Sequence, residues 1–337
     1  MFWNKQLISK DNSKTGIISE EKLTEDQWQI PDTFTLIAPE YNSVENFIRN
    51  NYSIYDSTVT LLSPELFNYF DLDCSVVIQD AHGIAGTCFV ILYDLSIFGN
   101  SIKAGHTTYL CIRKDLTKSG LAACLIRKVI TNSNVRGCYV GYHQINKPIG
   151  LNSFPIQSWW FPIKPKMVSQ LGFKLPIKGS HEQIRKYFTF PKLSGIQIEN
   201  FSEKYIEFAY QEWSKFSVKV DWKTFLNLCF DCPKGVTKIV LLNNQPISLI
   251  CYREWNIWFR TARKEVPITN FVFFTNFSGE ILQELNLTTS LAYFLELGNL
   301  TRDILLKYRL IPNEIQYLNW YNWSGLIKAS EVLLPFF

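Results

Sequence analysis

Thr117, Lys118 and Ser119, followed by Gly120, stand where a short strand gives way to a helix, and that placement suits them to hold an anionic phosphate. The first N–H groups of a helix have no partners inside it and lie at the positive end of its dipole, so a turn that bares them attracts negative charge. Gly120 removes the Cβ that would block the approach. The flanking elements follow from residue type. Tyr109, Leu110, Cys111 and Ile112 are aromatic and apolar, as in a buried strand, whereas Leu121, Leu125 and Val129 recur every four residues along one helix face. An ordinary capped helix has a similar start, so the turn by itself leaves both readings open.

The spacing Thr117-x-x-Gly120-x-Ala122 resembles the pyrophosphate loop of the GNAT acyltransferases, in which successive amides wrap the diphosphate of an acyl-CoA. Leu110-Cys111-Ile112-x-Lys114-x-Leu116, continued by Leu121-Ala122-x-x-Leu125-Ile126, resembles the core segment of the N-myristoyltransferases. Other segments resemble that family in its own order. Phe2-Trp3-Asn4-Lys5-Gln6 is similar to the stretch that packs over CoA. Gln157-Ser158-Trp159-Trp160-Phe161-Pro162-Ile163-Lys164-Pro165-Lys166, leading to Leu171-Gly172-Phe173, is similar to an Arg-Tyr-Trp-His-Arg segment with a trailing Asn-Pro-Lys. Ile315-Gln316-Tyr317-Leu318 and Tyr321-Asn322-Trp323 resemble a late strand of the family.

The resemblance implies an α+β fold: two tandem GNAT-like acyltransferase halves related by a pseudo-twofold repeat, with a mixed β-sheet core flanked by helices. Residues 1–190 would form the acyl-CoA half and residues 191–337 the half that holds peptide and the terminal carboxylate. The implied reaction moves myristate from myristoyl-CoA, a co-substrate, to the amine of an N-terminal glycine in a peptide or protein, with no metal. Cofactor contacts fall on Phe2, Trp3, Tyr109, Leu110, Cys111, Ile112, Thr117, Lys118, Ser119, Gly120, Leu121 and Ala122. The backbone amides of Tyr109 and Leu110 would form the oxyanion hole, with Thr108 beside them, because fixed donors stabilise developing charge without reorganising. The base would be the Phe337 carboxylate. Peptide contacts fall on Tyr52, Asp56, Tyr139, Trp159 and Glu296.

The tail Glu331-Val332-Leu333-Leu334-Pro335-Phe336-Phe337 fits the role of the base, since six of its seven residues are apolar. Burial would carry a carboxylate into low dielectric and strengthen it as a base; a tail packed on the surface would not.

Departures from the family pattern bear on the amine and the peptide. Thr108 stands where the family has Asn, and Val140, in Tyr139-Val140-Gly141-Tyr142, stands where it has Thr. Thr108 can still hydrogen-bond; Val140 cannot. Of the acidic loop only Asp56 is kept, Trp160 replaces a His, and Glu296 corresponds to an Asp. An alternative is a catalytically weak or inactive protein of the same fold that binds acyl-CoA or acyl-peptides.

Composition agrees with a compact enzyme. The 34 basic and 30 acidic residues leave a net charge of +4, which argues against a dedicated nucleic-acid binder. No apolar run approaches the roughly 20 residues that span a bilayer, so no stable membrane insertion is expected. The N-terminus has no leader-like pattern and begins at the CoA-packing segment, so neither a signal peptide nor a targeting arm is expected. A cytoplasmic monomer follows. Eight cysteines within apolar stretches read as reduced, buried thiols, and Cys229-Phe230-Asp231-Cys232 lacks the further ligands of a zinc site. The 15% of aromatic residues suits a lipid pocket and a large core alike.

An internal repeat is also legible. The first copy has a helix over 43–50, a second opened by Ser63-Pro64-Glu65, then strands 75–79 and 84–93 turned at Asp80-Ala81-His82-Gly83. The second has helices near 202–216 and 222–229, then strands 238–242 and 246–252 turned at Asn243-Asn244-Gln245. Pro191-Lys192-Leu193-Ser194-Gly195, rich in breakers, is the expected join.

Overall fold

The computed structural model describes residues 15–19, 29–52, 58–145, 147–149, 153–171, 174–259 and 263–335. The chain gathers into two compact units. The first takes Met1–Leu95, Asn100–Pro155 and Tyr317–Ile327, and the second Ser96–Gly99, Ile156–Gln316 and Lys328–Phe337. Strands Ser153–Pro162 and Ile311–Tyr321 each pass from one unit to the other. The Pro191–Gly195 segment lies inside the second unit.

In the first unit strand Thr35–Ile37 leads to helix Tyr41–Asn51, whose first-turn amides at Asn42 and Ser43 are capped by the Glu40 carboxylate. Ser63 caps the short helix Pro64–Phe67. The hairpin Val76–Asp80 and Gly83–Ile97 follows, its second strand longer than the sequence suggests because alternate residues Tyr93, Leu95 and Ile97 stay buried. Strand Asn100–Ile112 lies beside it, and helix Leu121–Val135 then crosses to strand Val140–Ile145, which runs parallel to Asn100–Ile112. Leu121, Leu125 and Val129 bury the predicted helix face against Val76, Ile78, Cys88 and Val90.

The second unit repeats this order. Strand Ile196–Asn200, helices Ile206–Ser214 and Trp222–Phe230, and the hairpin Gly235–Leu242 with Gln245–Phe259 match the expected elements within a few residues, except that the second hairpin strand runs on to Phe259. Strand Lys264–Phe274 then leads through helix Gly279–Glu284 to strand Leu291–Leu295, again parallel to its predecessor. Both units therefore share one plan: strand, two helices, three antiparallel strands, a crossover helix and a parallel strand.

The parallel pairings are short in both. In the first unit they stop at His106 opposite Tyr142, although one strand continues to Ile112. In the second they stop at Asn270 opposite Tyr293, and the parted ends are filled by rings: Phe271 stacks on Phe294 at 4.4 Å, with Phe274 and Phe277 packed beside them. The described end of the chain is buried too. Val332 and Leu333 pair with Val218 and Lys219, and Leu334 is 3% exposed. All eight cysteines are buried thiols. Among the described residues no helix is long and apolar enough to cross a membrane.

Candidate acyl-CoA site

The turn after strand Asn100–Ile112 is built to leave amides free. Its backbone enters the left-handed region at Lys118 (φ 71°) and again at Gly120 (φ 87°), which directly precedes helix Leu121–Val135 and supplies no side-chain cap. Thr117 spends its hydroxyl on the Lys114 carbonyl, and the Ser119 amide bonds to Leu116. Ser119 Oγ accepts from the Leu121 amide. The amides of Lys118, Gly120 and Ala122 find no acceptor among the described residues. A Cβ placed on Gly120 would meet no heavy atom within 4 Å, so the space over the turn is open. Three unsatisfied donors in an exposed turn at a helix start form an anion cradle.

Nine residues upstream of Lys118, the strand changes face. Gly105 points toward Val90 and Leu92, the side on which helix Leu121–Val135 packs. Strict alternation would put Tyr109 there as well. Instead Leu110 and Ile112 pack on that side, and the Tyr109 ring turns the other way, 5.9 Å from Phe70 and 5.3 Å from Tyr52. The switch is made at Tyr109, which adopts φ 47°, a conformation rare for a bulky residue. Thr87, fully buried on the neighbouring strand, fixes it by donating its hydroxyl to the Tyr109 carbonyl at 3.0 Å.

The strand end is also clamped by charge. Arg113 donates to both Asp80 oxygens, at 2.9 and 2.6 Å, and to Asp115 at 2.8 Å. The fork ties the hairpin turn to the segment that opens the cradle. Hydrogen bonds from Arg113 hold the Asp80 and Asp115 carboxyls below the ordinary carboxylate range, and the same bonds raise Arg113. With its guanidinium committed to two carboxylates, Arg113 has little left to offer an anion at the turn, and the cations beside the open amides are the exposed Lys114 and Lys118.

The other expected site residues divide. Tyr52 is brought against Tyr109. Cys111 and Leu121 are buried, so only their backbones can face a ligand. Tyr139 is half-buried, with its carbonyl taken by Asn322 Nδ2 at 2.9 Å. Trp159 and Glu296 meet each other in the second unit, the indole N–H donating to Glu296 Oε2 at 3.1 Å, and the Trp159 side chain is fully buried. Trp159 therefore holds Glu296 rather than offering a surface. Phe2, Trp3, Asp56 and Phe337 lie outside the described residues. Among the described residues no group of three or more His, Cys, Asp or Glu could hold a metal.

Thr87, Asp80, Arg113 and Asn322 hold the backbone around these positions, a role that sequence reasoning did not assign. A buried row of His106, Tyr142 and Trp320, with centroids 4.8 and 5.2 Å apart, spans the three strands at the end of the parallel pairing. Next to it, burial pushes the His143 imidazole down to about 4, so it carries no charge at neutral pH.

Two outcomes follow. Thr87→Val keeps the shape but strips a buried carbonyl of a donor, and should lower unfolding free energy by about 1–3 kcal/mol in denaturant titrations. Asp80 has a folded-state pKa well below its unfolded value of about 3.9, so its contribution is fully present above that value and is lost as pH falls below it toward the depressed folded-state pKa. Melting temperature should fall more steeply between about pH 4 and about pH 2 in the parent than in Asp80→Asn; equal slopes would mean that the clamp adds nothing.

No family model matches the chain. A curated glycylpeptide N-tetradecanoyltransferase from Kluyveromyces lactis is 22% identical over 249 residues, which cover 65% of this chain and 55% of that protein. The match thus spans about half the length of the curated relative. A Saccharomyces cerevisiae N-myristoyltransferase with bound myristoyl-CoA superposes with a TM-score of 0.76 at 13% identity, covering 98% of this chain and 96% of that one. A structure of the yeast protein with myristoyl-CoA and inhibitors gives 0.79 at 12% identity, covering 98% and 93%. The chain has the N-myristoyltransferase fold.

Proposed function

We propose that this protein transfers a myristoyl group from myristoyl-CoA to the α-amine of an N-terminal glycine. The observation that carries the reading is the sequence of features along one strand: a backbone reversal at Tyr109, then an open turn with unpartnered amides at Lys118, Gly120 and Ala122. The diphosphate takes the cradle, and the thioester arm lies along residues 107–112, where the parallel pairing has ended. The amides of Tyr109 and Leu110 stabilise the oxygen as the amine adds to the carbonyl carbon. The C–S bond then breaks and CoA leaves as the thiol, its sulfur taking the proton that the adding amine sheds; the other proton, lost from the α-ammonium before the attack, passes to a base.

For that base we propose the Phe337 carboxylate, which takes the proton from an α-ammonium whose pKa is near 8. Its support is the burial of Val332, Leu333 and Leu334 just before it, together with the family likeness. Thr108 holds the amine, and Tyr52, Asp56, Tyr139 and Glu296 line the acceptor path, with Trp159 fixing Glu296. Phe2 and Trp3 cover the CoA. The same reading takes the protein as a cytoplasmic monomer of GNAT-like build, acting on peptides or proteins that begin with glycine. One observation favours the alternative of an acyl-CoA binder without turnover: Val140 is 2% exposed and gives the amine no hydrogen bond.

Release of free CoA from myristoyl-CoA, with a library of peptides beginning with glycine, separates the two. Turnover with any peptide supports transfer; tight binding of myristoyl-CoA by calorimetry with no release supports the binder. Gly120→Asp sets a carboxylate in the cradle at a strained φ and should weaken acyl-CoA binding by about tenfold or more, ~1.4 kcal/mol. Unchanged affinity would place the phosphates elsewhere. Removing Phe336 and Phe337, or appending several polar residues after Phe337, should cut turnover by roughly 10²–10⁴-fold while acyl-CoA affinity holds. A folded variant retaining its rate within about threefold would exclude the terminal carboxylate, given the size of a general-base effect.

A further inference from the structure

Residues 164–192 of the second unit concentrate charge in a way that the acyl-CoA site does not use. They contain Lys164, Lys166, Lys174, Lys178, Arg185, Lys186 and Lys192 against a single carboxylate, Glu182. That is a net +6 within a chain whose total is +4, which leaves −2 on everything else. All seven cations are exposed, and among the described residues none pairs with a carboxylate. Arginines elsewhere behave differently: Arg49, Arg113 and Arg136 each hold an acid.

The stretch is a fixed scaffold. Helix Pro165–Gln170 buries Val168, and helix His181–Tyr187, opened by a reciprocal Ser180–Gln183 cap, turns Ile184 inward with Phe188 and Phe190 following. Tyr308 packs on Phe190 at 5.8 Å, and Arg309 lies over Tyr187 at 4.9 Å, which brings helix Arg302–Lys307 alongside. That helix adds exposed Lys307 and, beside it, Leu306 at 49% exposure. Leu193, next to Lys192, is 43% exposed.

We propose that this basic face of the second unit docks the protein reversibly on an anionic phospholipid surface. Six of the seven cations are lysines, compact point charges suited to a diffuse sheet of headgroups, whereas the forked guanidinium favoured for base and phosphate recognition occurs once. The aromatic residues that would stack on single-stranded bases are turned away: Phe188 and Phe190 are buried, and Tyr187 lies under Arg309. Clusters of four to eight basic residues, with a few apolar side chains, are attracted to acidic leaflets. The attachment is electrostatic, made by the fold itself, and differs in kind from insertion. It stands apart from acyl transfer; on the proposed function it would place a lipid-attaching enzyme where its single-chain products bind only weakly by themselves.

The test is co-sedimentation of the full chain with vesicles of phosphatidylcholine alone and of phosphatidylcholine mixed with phosphatidylserine, at low and high salt. Binding to the acidic vesicles should exceed binding to the neutral ones by about tenfold or more and vanish at high salt. Combining Lys174→Glu, Lys178→Glu, Arg185→Glu and Lys186→Glu should abolish it, and the four Gln substitutions should weaken it. Lys103→Glu, Lys223→Glu, Arg263→Glu and Lys264→Glu together change the net charge equally and should leave it nearly intact. Equal binding to both vesicle types, or equal loss in the two Glu variants, would overturn the proposal. So would tighter, patch-dependent binding to single-stranded or duplex RNA, which would assign the face to nucleic acid.

Discussion

Two neighbouring parallel strands cannot be joined by a tight turn, and the rest of this structure depends on that constraint. A crossover is required, and helix Leu121–Val135 provides it between Asn100–Ile112 and Val140–Ile145. The helix must begin just past the end of the first strand. Its positive end therefore lies about a dozen residues beyond the backbone reversal at Tyr109. On the proposed function, the phosphate taken by the helix start and the carbonyl taken by the reversal would sit at the two ends of one segment. Residues 113–116 keep their separation fixed because Arg113 is tied to both Asp80 and Asp115.

The second unit shows what the constraint does without the chemistry. Helix Gly279–Glu284 makes the same crossover, yet it starts with Ser278, whose hydroxyl accepts from the Ile281 amide at 3.1 Å. A capped start offers fewer free donors than one opened by glycine. The gap between the parted strands is also closed, by Phe271 and Phe294 stacked nearly parallel at 8°. One copy of the plan spends its crossover on a site and the other on a core.

The alternation of apolar residues and the breakers at Asp80–Gly83 and Asn243–Gln245 made both hairpins, the crossover helix and the cradle legible, since local residue type decides each of them. What could not be read depends on contacts between distant positions. Tyr109 has the composition of an ordinary strand residue, and only the shared facing of Gly105 and Leu110, which strict alternation would put on opposite sides, reveals the reversal. Thr87 is 22 residues from the carbonyl it serves, and Asp80 is 33 from Arg113. Asn322 reaches the Tyr139 carbonyl across 183 residues. A Trp in a motif reads as a surface contact until its burial is known, and Trp159 turned out to be a support for Glu296.

The substitution at Val140 is best understood through its neighbours in the first unit. Val140 lies opposite Ala104 in the parallel pairing and is buried, so a hydroxyl there would need its own partner. The preceding backbone carbonyl, that of Tyr139, already accepts from Asn322, whose side chain also reaches the Ser19 carbonyl. An apolar side chain at 140 therefore suits a strand whose hydrogen bonds are committed elsewhere. On the proposed function, Thr108, half-exposed on the neighbouring strand Asn100–Ile112 one residue before the reversal, is then the side chain left to meet an amine. Because it precedes Tyr109 directly, any shift of the reversal would, on that reading, move the amine contact and the carbonyl contact together. The backbone at Tyr109, held by Thr87 and by the rings of Phe70 and Tyr52, would in this way be the common reference for both reacting groups.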